Sequence, residues 1–213
     1  KRHGSFILQA PMDYPPDWML FDVNKNQDVD PKYFEALARY YLRYAQEYEK
    51  NGVFVDYVCL FNEPFVYTKI PYEKIRDLLK NHVGPLFAKH GMKNLLQPCE
   101  PSRRAHAHKN LSVILDDPEA RKYIANVPYH GYDFTATKKP PTAEHGYDFS
   151  EFKLIADLTK RYPDLPFWMT EVCFWNGGTP WAKPLPRAQF EDADCWVNQL
   201  ASDLESGAAG WTY

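Results

Sequence analysis

Two glutamates each close an apolar segment that has the character of a buried strand. Glu63 ends the stretch "DYVCLFNE", and Glu171 ends "LPFWMTE". Cleavage of a glycosidic bond needs two carboxyl groups, one protonated to release the leaving group and one ionised to attack or to activate water. A single strand-end glutamate is commonly a surface acid or half of an ion pair. We therefore predict glycosidase chemistry only on the condition that both glutamates lie at one site.

Glu100 and His130 follow two further strand-like segments, "KNLLQPC" and "ANVPY". Glu100 is the competing candidate for either catalytic carboxyl group, although we favour a role in contacting substrate or supporting the site. His106 and His108, in "RAHAHKN", are candidate metal ligands. On a helix, residues two apart face different directions, which argues against a shared ion. We predict no metal and no organic cofactor.

Short apolar runs alternate with long amphipathic segments along the chain, which is typical of βα units. Six strand-like segments occupy residues 5–11, 53–61, 93–101, 125–133, 165–172 and 209–213. Five helical segments connect them, at residues 30–52, 72–91, 104–124, 147–164 and 190–208, and the second is predicted to be interrupted or kinked near Gly84-Pro85. Parallel strands with helical crossovers form either a doubly wound sheet or a barrel, and no strand precedes a glycine-rich phosphate motif. We also see no hairpin signal.

The barrel explains where the polar residues lie, because the chemistry of a (β/α)8 barrel sits at the C-terminal ends of its strands. A complete barrel takes about 250 residues, which leaves six strands in 213 residues about two units short. The predicted fold class is therefore α/β, a partial (β/α)8 TIM barrel. It spans residues 1–213 as one domain.

Composition excludes several other classes of protein. The formal net charge is −3 and 45% of the residues are hydrophobic, so a basic nucleic-acid binder is not indicated. The longest apolar runs fall short of the roughly 20 residues that cross a bilayer. Cys59, Cys99, Cys173 and Cys195 are widely spaced and form no Cys-x-x-Cys pair. We expect no nucleic-acid partner and no membrane span.

Four stretches in order resemble the successive signatures of glycoside hydrolase family 30, which includes glucosylceramidases, endo-β-1,6-glucanases and related xylanases. They are "YAQEYEKNGVFVDYVCLFNEP", "ILDDPEARKYIANVPYHGYD", "FWMTEVCFW" and "SGAAGWTY". Each is weak alone, since Asn-Glu-Pro occurs across the clan of barrel glycosidases. The resemblance implies a (β/α)8 barrel of which this chain carries strands 3 to 8, and retaining hydrolysis of β-glycosides.

The resemblance also assigns the central residues. It makes Glu63 the general acid/base and Glu171 the nucleophile, with Asn62 bonding the 2-hydroxyl of the sugar. Two other hypotheses stay open: a glycosidase of another family in the same clan, and a catalytically silent relative that binds carbohydrate or serves a structural role.

Further binding residues follow from the family pattern or from the local sequence. His130 and Tyr132 match a His-x-Tyr motif in which the tyrosine steadies the nucleophile, and Trp211 matches a tryptophan that walls the sugar subsite. Trp18, in "PPDWML", is either a sugar platform or a packing residue. Trp175, and with it Trp181, lies in a Gly-Pro loop after the nucleophile, where sugar contact and simple exposure are both open.

The segment that follows the first predicted strand, at the rim of the predicted barrel, departs from the sequence pattern of the family. Members usually read Pro-Trp-Ser before Pro-Pro-Trp-Met, whereas here Pro11 is followed by Met12, Asp13 and Tyr14, with Asp17 inserted before the tryptophan. This change leaves the sugar and linkage open. The β-sandwich side domain of the family has no counterpart in these residues. The resemblance implies a β-linked oligosaccharide, polysaccharide or glycolipid as substrate, and a secreted or lysosomal-type compartment.

Overall fold

A computed structural model describes residues 6–22, 26–135, 149–173 and 190–212. The chain divides into two compact units, which we describe one at a time. The first comprises Lys1–Glu100 and Asn110–Val127, and the second comprises Pro101–Lys109 and Pro128–Tyr213. The predictions made for Trp175 and Trp181 lie outside the described residues.

The described strands and helices follow the predicted alternation closely. The strands are β1 Gln9–Pro11, β2 Leu20–Asp22, β3 Asn26–Val29, β4 Tyr57–Cys59, β5 Leu95–Gln97, β6 Val127–His130, β7 Phe167–Glu171 and β8 Ala208–Trp211. The helices are α1 Phe34–Lys50, α2 Tyr72–Leu78, α3 Gly84–Lys89, α4 Arg104–Asn110, α5 Ser112–Leu115, α6 Pro118–Arg121, α7 Tyr132–Thr135, α8 Phe152–Arg161 and α9 Phe190–Glu205.

In the first unit, β1, β4 and β5 form a parallel sheet with β4 in the centre. Tyr57 of β4 pairs with Gln9 on one side and with Leu95 on the other. The centre of the sheet is fully apolar, and residues 58–61 are at most 1% exposed. A parallel strand covered on both faces needs such a continuous apolar run. This run is what carries the chain to Asn62 and Glu63 at its C-terminal end.

Helix α1 confirms the predicted amphipathic crossover between β1 and β4. Asp30 accepts a hydrogen bond from the backbone N–H of Lys32 and so caps a short 3₁₀ turn, Pro31–Tyr33, from which the helix continues. The buried side chains recur at three- and four-residue spacing, the period of one helix face. They are Phe34, Leu37, Ala38, Tyr41, Leu42 and Ala45. The Tyr41 hydroxyl donates to the carbonyl of Leu60 just after β4.

The predicted break near Gly84 is confirmed, and it has a wider geometry than a simple kink. Between α2 and α3, residues Leu79–Val83 form a π-type turn, and Pro85 then stands in the first turn of α3. The ring of Tyr123 approaches Gly84 so closely that an added Cβ would lie 2.4 Å from it. Glycine is therefore required by packing at this position.

The prediction of no hairpin was wrong. Strands β2 and β3 pair antiparallel, Leu20 opposite Val29 and Asp22 opposite Asn26, with an irregular register. No apolar–polar alternation is visible at these residues, because both strands are very short and carry Asp and Asn residues that usually mark loops. Short strands of this kind are fixed by their neighbours and leave little periodicity to detect.

The second unit contains the other three-stranded sheet, in the order β6-β7-β8. β7 and β8 run parallel, and Gly210 of β8 faces the ring of Trp168, where a Cβ would lie 2.9 Å from ring atoms. Gly207 turns the chain from α9 into β8 at φ 93°, a conformation that favours glycine. Helices α8 and α9 pack in this unit as well. Every helix among the described residues is too short or too polar to cross a membrane.

Candidate active site

The ends of β1 and β5 fix the backbone of the Asn-Glu pair from both sides. The Asn62 N–H donates to the carbonyl of Met12 at 2.8 Å, and the Glu63 N–H donates to the carbonyl of Glu100 at 2.9 Å. The Glu100 N–H in turn donates to the carbonyl of Phe61. The pairing of parallel strands thus continues past β4 and determines where Asn62 and Glu63 stand.

Glu63 adopts a backbone conformation that is uncommon for its residue type. Its φ is 40°, in the left-handed region, and only 7% of the residue is exposed. A non-glycine residue in such a region costs about 1–3 kcal/mol and persists where the surroundings over-determine it. Here the bond to Glu100 on one side and a turn on the other supply that constraint, because the Glu63 carbonyl accepts from the N–H of Val66. The chain therefore holds a buried carboxyl group at a strand end.

Glu100 lies beside this pair and is 2% exposed. The Gln9 side-chain amide donates to Glu100 Oε1 at 2.7 Å. A glutamate that is buried and held by an amide from β1 is well suited to support the strand ends. This environment favours the supporting role over the alternative in which Glu100 is a catalytic carboxyl group.

Asn62 has a polar partner that the sequence did not reveal. Its Nδ2 donates to Asp13 Oδ1 at 2.8 Å, across 49 positions of the chain. The Thr68 hydroxyl donates to the backbone carbonyl of Asp13 at 3.0 Å. The sequence alone places Asp13 only in the segment that departs from the family pattern, since a contact over this sequence distance leaves no local signal.

The second unit places Glu171 next to Tyr132. The Tyr132 hydroxyl donates to Glu171 Oε1 at 2.7 Å and lies 3.4 Å from Cys173 Sγ. Burial, together with hydrogen bonds to Cys173 and Glu171, raises the pKa of Tyr132 above its usual range. The phenol therefore remains a donor at neutral pH. The Gly131 N–H also donates to the Glu171 carbonyl at 3.0 Å, which joins the end of β6 to the end of β7.

His130 is fully buried at the end of β6. Its Nε2 lies 3.8 Å from Glu171 Oε2, and its ring meets the ring of Tyr132 edge to face at 5.9 Å between centroids. The backbone N–H of His130 donates to the backbone carbonyl of Pro101 at 2.9 Å. The predicted trio of His130, Tyr132 and Glu171 is therefore assembled in this unit.

Trp211 is anchored by a buried ion-pair cluster that sequence reasoning missed. Its indole N–H donates to Asp203 Oδ2 at 3.1 Å. The guanidinium of Arg104 binds both oxygens of Asp203 at 2.8–3.0 Å and Asp133 at 2.8 Å. Arg104 and Asp203 are both fully buried, and burial raises the pKa of Asp203 although Arg104 acts to lower it. Arg104 is the first residue of the short polar helix α4, so the local sequence carries no signal that its side chain is buried.

The remaining predicted residues have other partners. Trp18 is 59% exposed on a short 3₁₀ turn and meets Tyr33 edge to face at 5.3 Å. His106 and His108 contact different residues, Ser102 and Asp157 respectively. The pairing of Glu63 in the first unit with Glu171 in the second stays a prediction.

Comparison with known proteins decides the family. Residues 23–213 match the family described as "Glycosyl hydrolase family 30 TIM-barrel domain". The chain belongs to glycoside hydrolase family 30. The expected family and the expected α/β fold, part of a TIM barrel, are thereby confirmed.

Several proteins named as glucanases or glucosylceramidases are similar to the chain. An endo-1,6-beta-D-glucanase of Neurospora crassa is 27% identical over 196 residues, covering 84% of this chain and 36% of that protein. The lysosomal acid glucosylceramidase of Mus musculus is 23% identical over 192 residues, covering 84% of this chain and 34% of that protein. The chain thus spans about a third of the length of these curated relatives.

A solved structure shares the fold of this chain. The crystal structure of SrfJ from Salmonella typhimurium superimposes with a TM-score of 0.74 at 18% identity. The match covers 96% of this chain and 43% of SrfJ. At this identity the likeness concerns the fold alone.

Proposed function

We propose that the full-length protein is a retaining β-glycoside hydrolase that cleaves a β-linked glycan or glycolipid by double displacement. The observation that carries the proposal is the contact between Tyr132 and Glu171 at the end of β7, in a chain of family 30. A phenol donor on one carboxylate oxygen leaves the other oxygen available for attack and keeps the group oriented.

In the first step, Glu171 attacks the anomeric carbon and forms a carbon–oxygen bond to it, while the bond to the leaving group breaks. Glu63 donates its proton to the departing oxygen. In the second step, Glu63 accepts a proton from water as the water oxygen attacks the same carbon and Glu171 is released. The anomeric configuration is inverted twice and so is retained.

Other residues at the strand ends would bind the sugar. Asn62 would bond the 2-hydroxyl, a contact that strengthens in the transition state. His130, Trp211 and Glu100 would form or support the walls of the subsite, and the exposed Trp18 would offer an apolar face to a sugar ring. Trp175, four positions after Glu171 in the sequence, is proposed for the same purpose.

The substrate class follows from the relatives. One is named an endo-1,6-β-glucanase and another a glucosylceramidase. We infer a β-linked sugar, in a glucan or on a lipid, and a secreted or lysosomal-type compartment. The reaction as written requires no metal ion and no organic cofactor.

Substitution of the two glutamates in the full-length protein tests the proposal. Glu171→Gln and Glu63→Gln should each lower kcat on a β-glycoside with a poor leaving group by at least about a thousandfold. Glu49→Gln, on the exposed face of α1, serves as the matched control and should leave kcat unchanged. Activity that survives in both glutamate variants would contradict the assignment.

A further inference from the structure

Asp13 occupies an unusual place for an exposed acid. It follows directly on Met12, whose carbonyl accepts the N–H of Asn62, and its own carbonyl accepts the hydroxyl of Thr68, which is fully buried. Its carboxylate then accepts from Asn62 Nδ2 at 2.8 Å. The segment after β1 is therefore tied to the strand end of β4 through both backbone and side chain.

This contact determines which way the Asn62 amide faces. An ionised carboxylate has acceptors and no donor, so only the amino end of the amide can face Asp13. The amide oxygen must then face the opposite way. Asn62 is 7% exposed, and within the described residues Oδ1 is buried without a hydrogen-bond partner. A buried acceptor of this kind is satisfied only when a donor is brought to it.

We propose that Asp13 is a positioning residue that orients Asn62 so that its Oδ1 accepts a hydrogen bond from the substituent at C2 of the bound sugar. The inference rests on the proposed glycosidase function and adds a selection rule to it. Substrates that carry a donor at C2, a hydroxyl or an amine, are favoured over substrates that carry none. Asp13 acts through Asn62 and does not itself touch the reacting atoms.

The test compares substrates with and without the 2-hydroxyl. The full-length protein is first assayed on aryl β-glucoside, β-galactoside and β-xyloside, and the best of these is then paired with its 2-deoxy analogue. Asp13→Ala should lower kcat/KM on the 2-hydroxyl substrate by about tenfold, the scale of one buried hydrogen bond. On the 2-deoxy substrate it should change kcat/KM by less than about twofold, because no hydroxyl remains to be oriented.

Two further variants separate positioning from general damage. Asp17→Ala removes the other exposed acid of the same segment and should leave kcat/KM unchanged on both substrates. Asp13→Asn keeps an acceptor but also gains donors, so the Asn62 amide can turn over. The kcat/KM of Asp13→Asn on the 2-hydroxyl substrate should therefore lie between the values for the wild type and for Asp13→Ala. If Asp13→Ala does not fold, Asp13→Asn alone must still show the loss confined to the 2-hydroxyl substrate.

The same experiments distinguish a failure of this inference about Asp13 from a failure of the proposed function. Wild-type protein that hydrolyses none of the glycosides contradicts the function and the inference together. Hydrolysis with no effect of Asp13→Ala, or with equal losses on both substrates, overturns the inference alone. In an Asn62→Ala background Asp13→Ala should add no further loss, and an additional tenfold loss there would mean that Asp13 contacts the substrate directly.

Discussion

At the scale of single residues, the proposed chemistry depends on a nucleophile that is held in the correct orientation. Tyr132 supplies a donor to Glu171 at 2.7 Å, and Gly131 fixes the backbone of Glu171 from the neighbouring strand. In the first unit, backbone bonds hold Glu63 at a positive φ. Both carboxyl groups are thus placed by rigid strand ends, which is the usual means by which a barrel presents reacting groups.

Removal of the phenol oxygen tests this role of Tyr132. We expect Tyr132→Phe to lower kcat by about tenfold to a hundredfold, the scale of one charge-assisted hydrogen bond. The pKa of Tyr132 is raised, so the hydrogen bond is present below the usual pKa of tyrosine and is lost only as pH rises beyond it. The variant should therefore lower kcat at every pH from acid to mildly alkaline without moving the alkaline limb of the pH–rate profile. A shift of that limb would contradict the assignment.

Residues within motifs could be predicted, and residues that act across the chain could not. Glu63, Glu171 and Tyr132 follow apolar strands in recognisable contexts. Asp13 meets Asn62 over 49 positions, and Arg104 meets Asp203 over 99 positions. Such contacts arise only when the fold brings distant segments together, so the local periodicity of the sequence does not indicate them.

At the scale of elements, a buried cluster joins several parts of the second unit. Arg104 begins α4, Asp133 lies in α7, Asp203 lies in α9, and the cluster reaches Trp211 in β8. The guanidinium also lies 4.0 Å from the centroid of the Phe152 ring, in α8. Four helices and a strand therefore share one charged group, which makes the cluster a point on which this unit depends.

Replacement of Arg104 should reveal that dependence. Arg104→Met leaves buried carboxylates without their counter-charge, and we expect a loss of about 3–5 kcal/mol in unfolding free energy, seen as a lower thermal midpoint. The double variant Arg104→Met/Asp203→Leu should recover part of the loss, because one of those buried charges is removed with its partner. Lys32→Met, which breaks the exposed pair with Asp30, is the control and should change the midpoint little. A midpoint as high for Arg104→Met as for the control would contradict a structural role for the cluster.

Sequence periodicity was sufficient to predict some of the strands and helices and not others. The apolar runs of β4 and β7 and the helical period of α1 were sufficient to predict those elements and their order. The hairpin of β2 and β3 was not predictable, because its strands are short and polar. The π-type turn at Leu79–Val83 was predicted only as a break, since Gly84 and Pro85 mark a disturbance without specifying its geometry.

At the scale of the whole molecule, the chain combines a net charge of −3 with parallel strands whose polar residues collect at their C-terminal ends. Both features agree with the neutral, hydroxyl-rich substrate that we propose. Membership of family 30 supports the proposed class of reaction, and the chain accounts for about a third of the length of its curated relatives.

The most direct test of the central claim is covalent trapping of the nucleophile. The full-length protein is treated with an activated 2-deoxy-2-fluoro β-glycoside, whose fluorine slows release of the glycosyl-enzyme, and the digested protein is analysed by mass spectrometry. We predict one added fluorosugar, attached to Glu171 in the peptide that contains "TEVCFW", with loss of activity in proportion to labelling. Labelling of Glu63 or Glu100 in its place, or continued turnover of β-glycosides with no covalent label, would contradict the account.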